Sequence, residues 1–201
     1  MGVAGMPTAF IAEWGRGKPV IGILGEYDAL PGISQKVSAV KEPIKEGAPG
    51  HGCGHNLYGS AAFGAVIAVK EAMQDAGIEG TLRFYGCPAE ETLVGKVYMA
   101  REGVFDDLDA AVTWHPGFVN TAWGGKAGST SAMAMNSFKV QYHGRSAHAA
   151  ANPQQGRSAL KAIQLLDIGV QYMREHISGD VRVHSVITNG GGAPNVVPPF
   201  A

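Results

Sequence analysis

The chain has 201 residues and a formal net charge of −1, with 45% hydrophobic and 16% charged residues. This balance is typical of a globular protein with a real core, and it excludes the basic excess on which a nucleic-acid binder depends. The two cysteines are too few for a disulfide framework, and no apolar run is long enough for a membrane span. We therefore expect a cytoplasmic protein that has neither nucleic acid nor a membrane as a partner.

The first part of the chain alternates short β-like runs with helical patterns. In chain order we predict strands at 8–14 and 19–25, a surface loop at 32–50, a helix at 56–76, a strand at 81–86, a helix at 92–102 and a strand at 109–114. Gly77 is the expected C-cap of the first helix. This alternation favours an α/β fold with a mostly parallel sheet, in which ligand sites lie at the carboxyl ends of the strands.

Composition shifts in the middle of the chain, and a second β-α-β pattern follows. Residues 131–144 predict a long strand, 156–173 an amphipathic helix and 181–188 another strand. We therefore predict two domains, divided as 1–127 and 128–201.

Three motifs offer ligands for a metal ion. HGCGHN contains Cys53 and His55, PAEE contains Glu90 and Glu91, and WHP contains His115. A hydrolytic metal site needs groups of this kind to hold the ion, together with a nearby carboxylate that takes a proton from the metal-bound water. The pattern therefore predicts a metal-dependent hydrolase, with Glu90 as the base.

Each motif also has a purely structural interpretation. Cys53 and His55 fit a buried thiol beside a capping histidine, the glutamate pair fits solvated surface charge, and a histidine before proline, such as His115, is more often structural. Four residues of ligand type and a base at successive strand ends are nevertheless better explained by metal binding. Asp28, in GEYDALPG, is either a turn former or a carboxylate that orients His55.

The motifs follow one another in the order GEYDALPG, GHGCGHN, FYGCPAEE, WHPG, GRSAHAA and NVVP. This order resembles the dinuclear metal-dependent amidohydrolase and carboxypeptidase family, whose members include aminoacylases, hippurate hydrolase and succinyl-diaminopimelate desuccinylase. The resemblance spans essentially the whole chain. It implies part of a mostly parallel-sheet metallohydrolase catalytic domain, followed by part of an α+β lid or dimerisation domain.

The resemblance also implies roles for individual residues. The ligands of two divalent ions, zinc or manganese, match Cys53, His55, Glu91 and His115. Glu90 matches the general acid and base. His148 matches a histidine that reaches the active site of the partner subunit and stabilises the oxyanion, and Asn195 resembles a residue that contacts the carboxylate of the substrate.

The reaction that the resemblance implies is hydrolysis of an amide bond with metal-bound water as the nucleophile. Its substrate is a small N-acyl amino acid, such as aminobenzoyl-glutamate. The implied assembly is a homodimer or a hetero-oligomer formed through the lid domain. In that assembly His148 acts in trans or after a hinge closure.

The chain departs from the family pattern in three ways. Asn56 stands where most members with the cysteine motif have aspartate, which removes a charged group beside the ligands. In the family the catalytic domain resumes after the lid and supplies one more ligand histidine, but this chain stops inside the lid and lacks that histidine. The helix that usually precedes the first strand is also missing. We therefore expect a fragment of a longer amidohydrolase that is inactive alone.

Two functions from other classes stay open. The missing ligand is compatible with a catalytically silent fragment or subunit that binds metal without turnover. The second alternative is a thiol hydrolase with Cys53 as the nucleophile and His55 as the base. Residues two positions apart on a glycine turn seldom reach the geometry that such a pair needs.

Overall fold

The computed structural model describes residues 2–92, 94–117, 122 and 134–201. The chain divides into two compact units, Met1–Met133 and Ala134–Ala201. The predicted boundary between residues 127 and 128 lies outside the described residues, so it stays a prediction.

The first unit is built on a four-stranded sheet. Its strands are β1 (Phe10–Arg16), β2 (Val20–Glu26), β3 (Gly80–Cys87) and β4 (Ala110–Val112), and they lie in the order β1-β3-β2-β4. β2 pairs in parallel with both β3 and β4, whereas β1 runs antiparallel to β3. The predicted α/β fold with a mostly parallel sheet is therefore confirmed, with one antiparallel strand at its edge.

The sequences of the strands explain their places in the sheet. β2 (VIGILGE) and β3 (GTLRFYGC) are rich in apolar residues and largely buried, as expected of central strands covered on both faces. β1 and β4 are mostly exposed and form the edges. β3 thus lies between β1 and β2, so these two strands are consecutive in the chain but are not neighbours in the sheet.

Two helices connect the parallel strands. α1 (His55–Ala76) begins one residue before the predicted helix, and it ends at Gly77, whose φ is +63° and whose amide donates to carbonyls of the last turn. This confirms the predicted C-cap. α2 (Gly95–Arg101) is shorter than the predicted helix at 92–102. Among the described residues, no helix combines the length and the apolar character that crossing a membrane requires.

Neighbouring residues of β3 pack on opposite faces of the sheet. Phe84 joins Tyr58 and Ala62 of α1 in one buried cluster, and Tyr85 joins Met99 of α2 in the other. This follows from the two-residue period of a strand. The two clusters fix one helix on each face, and they hold the N-terminus of α1 near the ends of the strands.

The second unit contains α3 (Ala159–Met173), which confirms the helix predicted at 156–173. Its N-cap is Ser158, whose hydroxyl accepts a hydrogen bond of 3.2 Å from the backbone N–H of Lys161. Such a cap satisfies one of the free donors of the first turn. The helix is amphipathic as predicted, although parts of its apolar face are exposed in this unit, including Leu166 and Met173.

The strands predicted at 131–144 and 181–188 are not confirmed. Residues 131–133 lie outside the described part of the chain, and neither 134–142 nor 181–188 belongs to a strand in the described part. Isolated antiparallel bridges, such as that between His143 and Phe200, join the segment after Gln141 to the end of the chain. The prediction was wrong because an extended apolar segment becomes a strand only where a neighbouring segment pairs with its backbone groups.

Candidate metal centre

The candidate site lies at the carboxyl ends of the parallel strands. Asp28 follows β2, Glu90 and Glu91 follow β3, and His115 follows β4, while His55 begins α1. Because parallel strands end at the same edge of a sheet, residues far apart in the chain meet there. This is the edge at which the sequence placed them.

His55 lies at the centre of the site and is fully buried. Its Nδ1 lies 3.1 Å from the carbonyl oxygen of Asp28 and 3.2 Å from Asp28 Oδ1. Both oxygens are acceptors, so Nδ1 of the neutral ring carries the proton and Nε2 presents its lone pair. This is the contact expected of a carboxylate that orients a ligand histidine.

Four carboxylates surround the ring of His55. Nε2 lies 3.0 Å from Glu26 Oε2 and 3.8 Å from Glu90 Oε2. Nδ1 lies 3.2 Å from Asp28 Oδ1 and 3.9 Å from Glu91 Oε1. Negative charges concentrated around one buried group create a potential that attracts a cation.

Three buried side-chain atoms of this group have no hydrogen-bond partner among the described residues, namely Glu26 Oε2, His55 Nε2 and Glu91 Oε1. Although Glu26 Oε2 and His55 Nε2 are 3.0 Å apart, they are not in hydrogen-bonding geometry. A buried polar atom without a partner costs about 1–3 kcal/mol, and more when it is charged. A divalent cation would satisfy atoms of this kind, so the residues present fit a bound metal ion.

Cys53 and His115 face each other beside His55. Cys53 Sγ lies 3.2 Å from His115 Nε2, and the ligand atoms of the three residues lie within 4.8 Å of one another. Nδ1 of His115 lies 2.9 Å from the carbonyl oxygen of Pro116, to which it donates. That hydrogen bond leaves Nε2 as the nitrogen available to a metal ion.

The surroundings of Cys53 disfavour a free thiolate. Burial raises the pKa of its thiol, and the nearby carboxylates, with Glu91 first among them, raise the pKa further. The thiolate is the nucleophilic form of cysteine, so this environment argues against the thiol hydrolase. A bound cation would reverse the effect, because it stabilises a coordinating thiolate.

Glu90 and Glu91 are adjacent in the chain but differ in their surroundings. The backbone N–H of Glu91 donates to Asp28 Oδ2 at 2.9 Å, and the Glu91 side chain is 15% exposed. The Glu90 side chain is 29% exposed. The Glu91 carboxylate is therefore the more buried of the two, whereas the Glu90 carboxylate is more accessible to small molecules.

Two glycines let the N-terminus of α1 approach the strand ends. Gly54, just before His55, has a φ of +80°, a conformation that side chains with a Cβ rarely adopt. A Cβ at Gly59 would lie 2.6 Å from the backbone oxygen of Glu26. Glycine at these positions thus allows the close contact of α1 with the end of β2.

His148, predicted to stabilise the oxyanion, and Asn195, predicted to contact the substrate, lie in the second unit and are exposed. The backbone N–H of Ala149 donates to the carbonyl oxygen of Asn195 at 3.0 Å, which places the two residues side by side. His148 Nδ1 accepts hydrogen bonds from the backbone N–H groups of Ala150 (3.2 Å) and Ala151 (3.1 Å). In the neutral ring the proton is therefore on Nε2, which donates to no residue in the described part of the chain.

Sequence reasoning missed Glu26, which is 5% exposed and ends β2. The strand predicted at 19–25 stops one residue before it. A usable signal was present, because an acidic residue continues the apolar strand VIGILGE two positions before Asp28. Residues two apart in an extended chain point to the same side.

Comparisons with known proteins give one consistent result. The sequence profile of peptidase family M20/M25/M40 matches residues 22–186. The chain is 51% identical over 197 residues to the B-type subunit of p-aminobenzoyl-glutamate hydrolase from Escherichia coli (strain K12), covering 97% of this chain and 40% of the relative. It is 33% identical over 214 residues to the Xaa-Arg dipeptidase of Homo sapiens, covering 98% and 43%.

The fold has a counterpart among solved structures. The crystal structure of an aminobenzoyl-glutamate utilization protein from Klebsiella pneumoniae matches with a TM-score of 0.58 and 25% sequence identity, over 94% of this chain and 42% of that chain. The chain thus spans less than half the length of these relatives.

Proposed function

The chain belongs to peptidase family M20/M25/M40, and from this membership we propose that it carries the metal centre and the general base of an amidohydrolase. The observation that carries the proposal is the group of four carboxylates around the buried ring of His55, together with three buried atoms that find no hydrogen-bond partner in the described part of the chain. Among the described residues Lys96 is the only lysine or arginine that pairs with this group, through Glu26, so burying the remaining negative charge without a further cation would be unfavourable.

We propose that two divalent ions bind in each complete subunit, held by Cys53, His55, Glu91 and His115. A thiol and imidazoles are ligands that zinc prefers, and imidazole with carboxylate also suits manganese. When bound, such ions polarise the scissile carbonyl and make a water molecule easier to deprotonate. The hydrogen bond to Asp28 fixes the tautomer of His55 in which Nε2 has a lone pair that can bind an ion.

Glu90 acts as the general base and then as the acid. It takes the proton from the attacking water and returns it to the leaving nitrogen. Its greater exposure supports this division of roles, because the base has to reach the water and the substrate while the ligand Glu91 does not.

The second unit supplies groups that bind the reacting substrate. His148 donates a hydrogen bond from Nε2 to the developing oxyanion, a role worth about 3 kcal/mol. Asn195 binds the carboxylate of the substrate through its side-chain amide. The hydrogen bonds to His148 Nδ1 support the first role. The backbone hydrogen bond between Ala149, next to His148, and Asn195 supports the joint action of the two residues.

The substrate that we propose is an N-acyl amino acid of the aminobenzoyl-glutamate type. Two relatives from Escherichia coli are named as the two different subunits of one p-aminobenzoyl-glutamate hydrolase, with 31% and 51% identity to this chain. We propose a hetero-oligomer or a homodimer formed through the second domain (128–201), which covers the catalytic domain (1–127) of its neighbour. The names of the two subunits support the hetero-oligomer. Both cysteines are free thiols, which supports a reducing, cytoplasmic location.

The test combines metal analysis with an assay of amide hydrolysis in the complete protein. We expect bound zinc or manganese by mass spectrometry, hydrolysis of aminobenzoyl-glutamate, loss of activity with a chelator and recovery on addition of metal. Bound metal without turnover of any N-acyl amino acid would instead support the catalytically silent alternative. Turnover that chelators leave unchanged would support the thiol hydrolase.

A further inference from the structure

We propose that Glu26 is a further ligand of the metal centre and that Lys96 is the residue that positions it. This inference rests on the proposed function only in that the centre binds a divalent ion. It assigns a role to the glutamate of the GEYDALPG motif, to which the sequence analysis gave none.

The position of Glu26 is the first argument. Glu26 ends the central strand β2 and is 5% exposed, so its charge is almost completely removed from water. Its Oε1 accepts a hydrogen bond from Lys96 Nζ, and its Oε2 has no hydrogen-bond partner among the described residues. Lys96 thereby holds one oxygen and leaves the other directed at His55.

The second argument is the chemistry of the two atoms that meet there. Glu26 Oε2 and His55 Nε2 lie 3.0 Å apart, and both are buried and unpartnered among the described residues. His55 Nδ1 carries the proton of the neutral ring because it faces two oxygens of Asp28. A lone pair on Nε2 therefore faces a carboxylate oxygen, and two such atoms are held this close most favourably by a shared cation.

The third argument is the grouping of ligand atoms around His55. Donor atoms of Glu26, His55 and Glu90 lie within 4.8 Å of one another, and so do those of Cys53, His55 and His115. The two groups share His55. Because Glu90 is the proposed base, Glu26 is the carboxylate of its group that is left to bind the ion beside His55.

Metal titration of the full chain tests the assignment. Metal-free wild type, Glu26→Gln and Glu42→Gln are titrated with zinc and with manganese against a chelating dye. Glu42 is the matched control because it also pairs with a lysine, Lys36, but in an exposed loop. We expect about tenfold or greater loss of affinity in Glu26→Gln, as for other groups that orient or bind a metal, and wild-type affinity in Glu42→Gln.

Two further measurements separate a ligand from a structural residue. The melting temperature of the metal-free Glu26→Gln protein should stay near that of wild type, because glutamine has the same shape, while the rise on metal addition should shrink. Glu26→Asp keeps the charge but withdraws the oxygens by one methylene, so its metal affinity should also fall. It serves as the second variant if the glutamine protein does not fold.

The outcomes are distinct. Wild-type affinity in Glu26→Gln or in Glu26→Asp would overturn the ligand assignment and leave the proposed function intact. A lower melting temperature without metal, together with unchanged metal affinity, would make Glu26 a packing partner of His55 and would also overturn the assignment. If the complete wild-type protein, titrated in the same way, binds neither ion, the proposed function itself is overturned.

Discussion

The two units of the chain present their polar residues in opposite ways. In the first unit, the ends of parallel strands and the start of α1 bring His55 and its carboxylates into a buried group that the core clusters of the sheet hold in place. In the second unit, His148 and Asn195 lie exposed along isolated antiparallel bridges. Buried polar groups suit a bound ion, whereas exposed donors suit a substrate.

This difference separates two kinds of effect. Substitutions at buried carboxylates of the first unit should change metal affinity, since those groups have few other partners. Substitutions at exposed donors of the second unit should change turnover and leave metal binding intact. Glu90, the more exposed carboxylate of the first unit, is an exception, because its substitution should change turnover and leave metal binding intact.

The largest effect is expected for Glu90→Gln. Its kcat in the complete protein should fall on the order of 10³-fold, because amide hydrolysis loses its proton-transfer group. Its metal content should stay at the wild-type level, since Glu90 is proposed as the base and not as a ligand. Glu91→Gln is the matched neighbour and should lower metal affinity. Both variants are measured by steady-state kinetics and by metal analysis, and equal metal loss in the two would contradict the division of roles.

The next effect concerns the second unit. His148→Ala should lower kcat about 10²-fold, the usual cost of losing one oxyanion donor, without changing metal affinity. If the histidine acts across a two-fold assembly, mixing this variant with Glu90→Gln should restore activity. Each hybrid dimer then has one site with both residues intact and reaches at most about half of wild-type activity. Hybrids that form but stay inactive would rule out action in trans.

A smaller effect is expected at Asp28, which accepts two hydrogen bonds. Oδ1 faces His55 Nδ1, and Oδ2 accepts from the backbone N–H of Glu91. Asparagine has one acceptor oxygen, so Asp28→Asn should lose one of these contacts and lower metal affinity about 10- to 100-fold. Asp75→Asn, at the exposed end of α1, is the control and should bind metal as wild type. Unchanged affinity in Asp28→Asn would show that the carboxylate does not orient the centre.

Much of the first unit followed from its sequence because local patterns decide its elements. Apolar runs placed the central strands to within one or two residues, and spacing and a C-cap glycine placed α1. The order of strands was not readable, because inserting β3 between β1 and β2 depends on long-range pairing. The strand predicted at 181–188 failed for the same reason, since pairing partners are not encoded in the segment itself.

The candidate site was predictable where motifs carry it and not elsewhere. Asp28, His55 and His115 were placed at one edge by their positions after strands or before a helix, and the structure brings them together there. Glu26 was missed because only Asp28 of GEYDALPG was considered as a functional carboxylate. Only the packing of α1 against β2 shows that this residue is buried beside His55.

The smallest effect is expected for the packing of α1 against the end of β2, which brings His55 next to Glu26. Gly59→Ala places a Cβ 2.6 Å from the backbone oxygen of Glu26, which cannot move away as a side chain does, so the variant should lose about 1–3 kcal/mol of unfolding free energy. Gly64→Ala, in the same helix, meets nothing within 4 Å and should gain about 0.5–1 kcal/mol. Urea unfolding followed by circular dichroism measures both. Because a displaced α1 also moves His55 away from Glu26, Gly59→Ala should weaken metal binding and Gly64→Ala should not. A gain of stability in both variants would show that helix propensity, and not contact with β2, decides these positions.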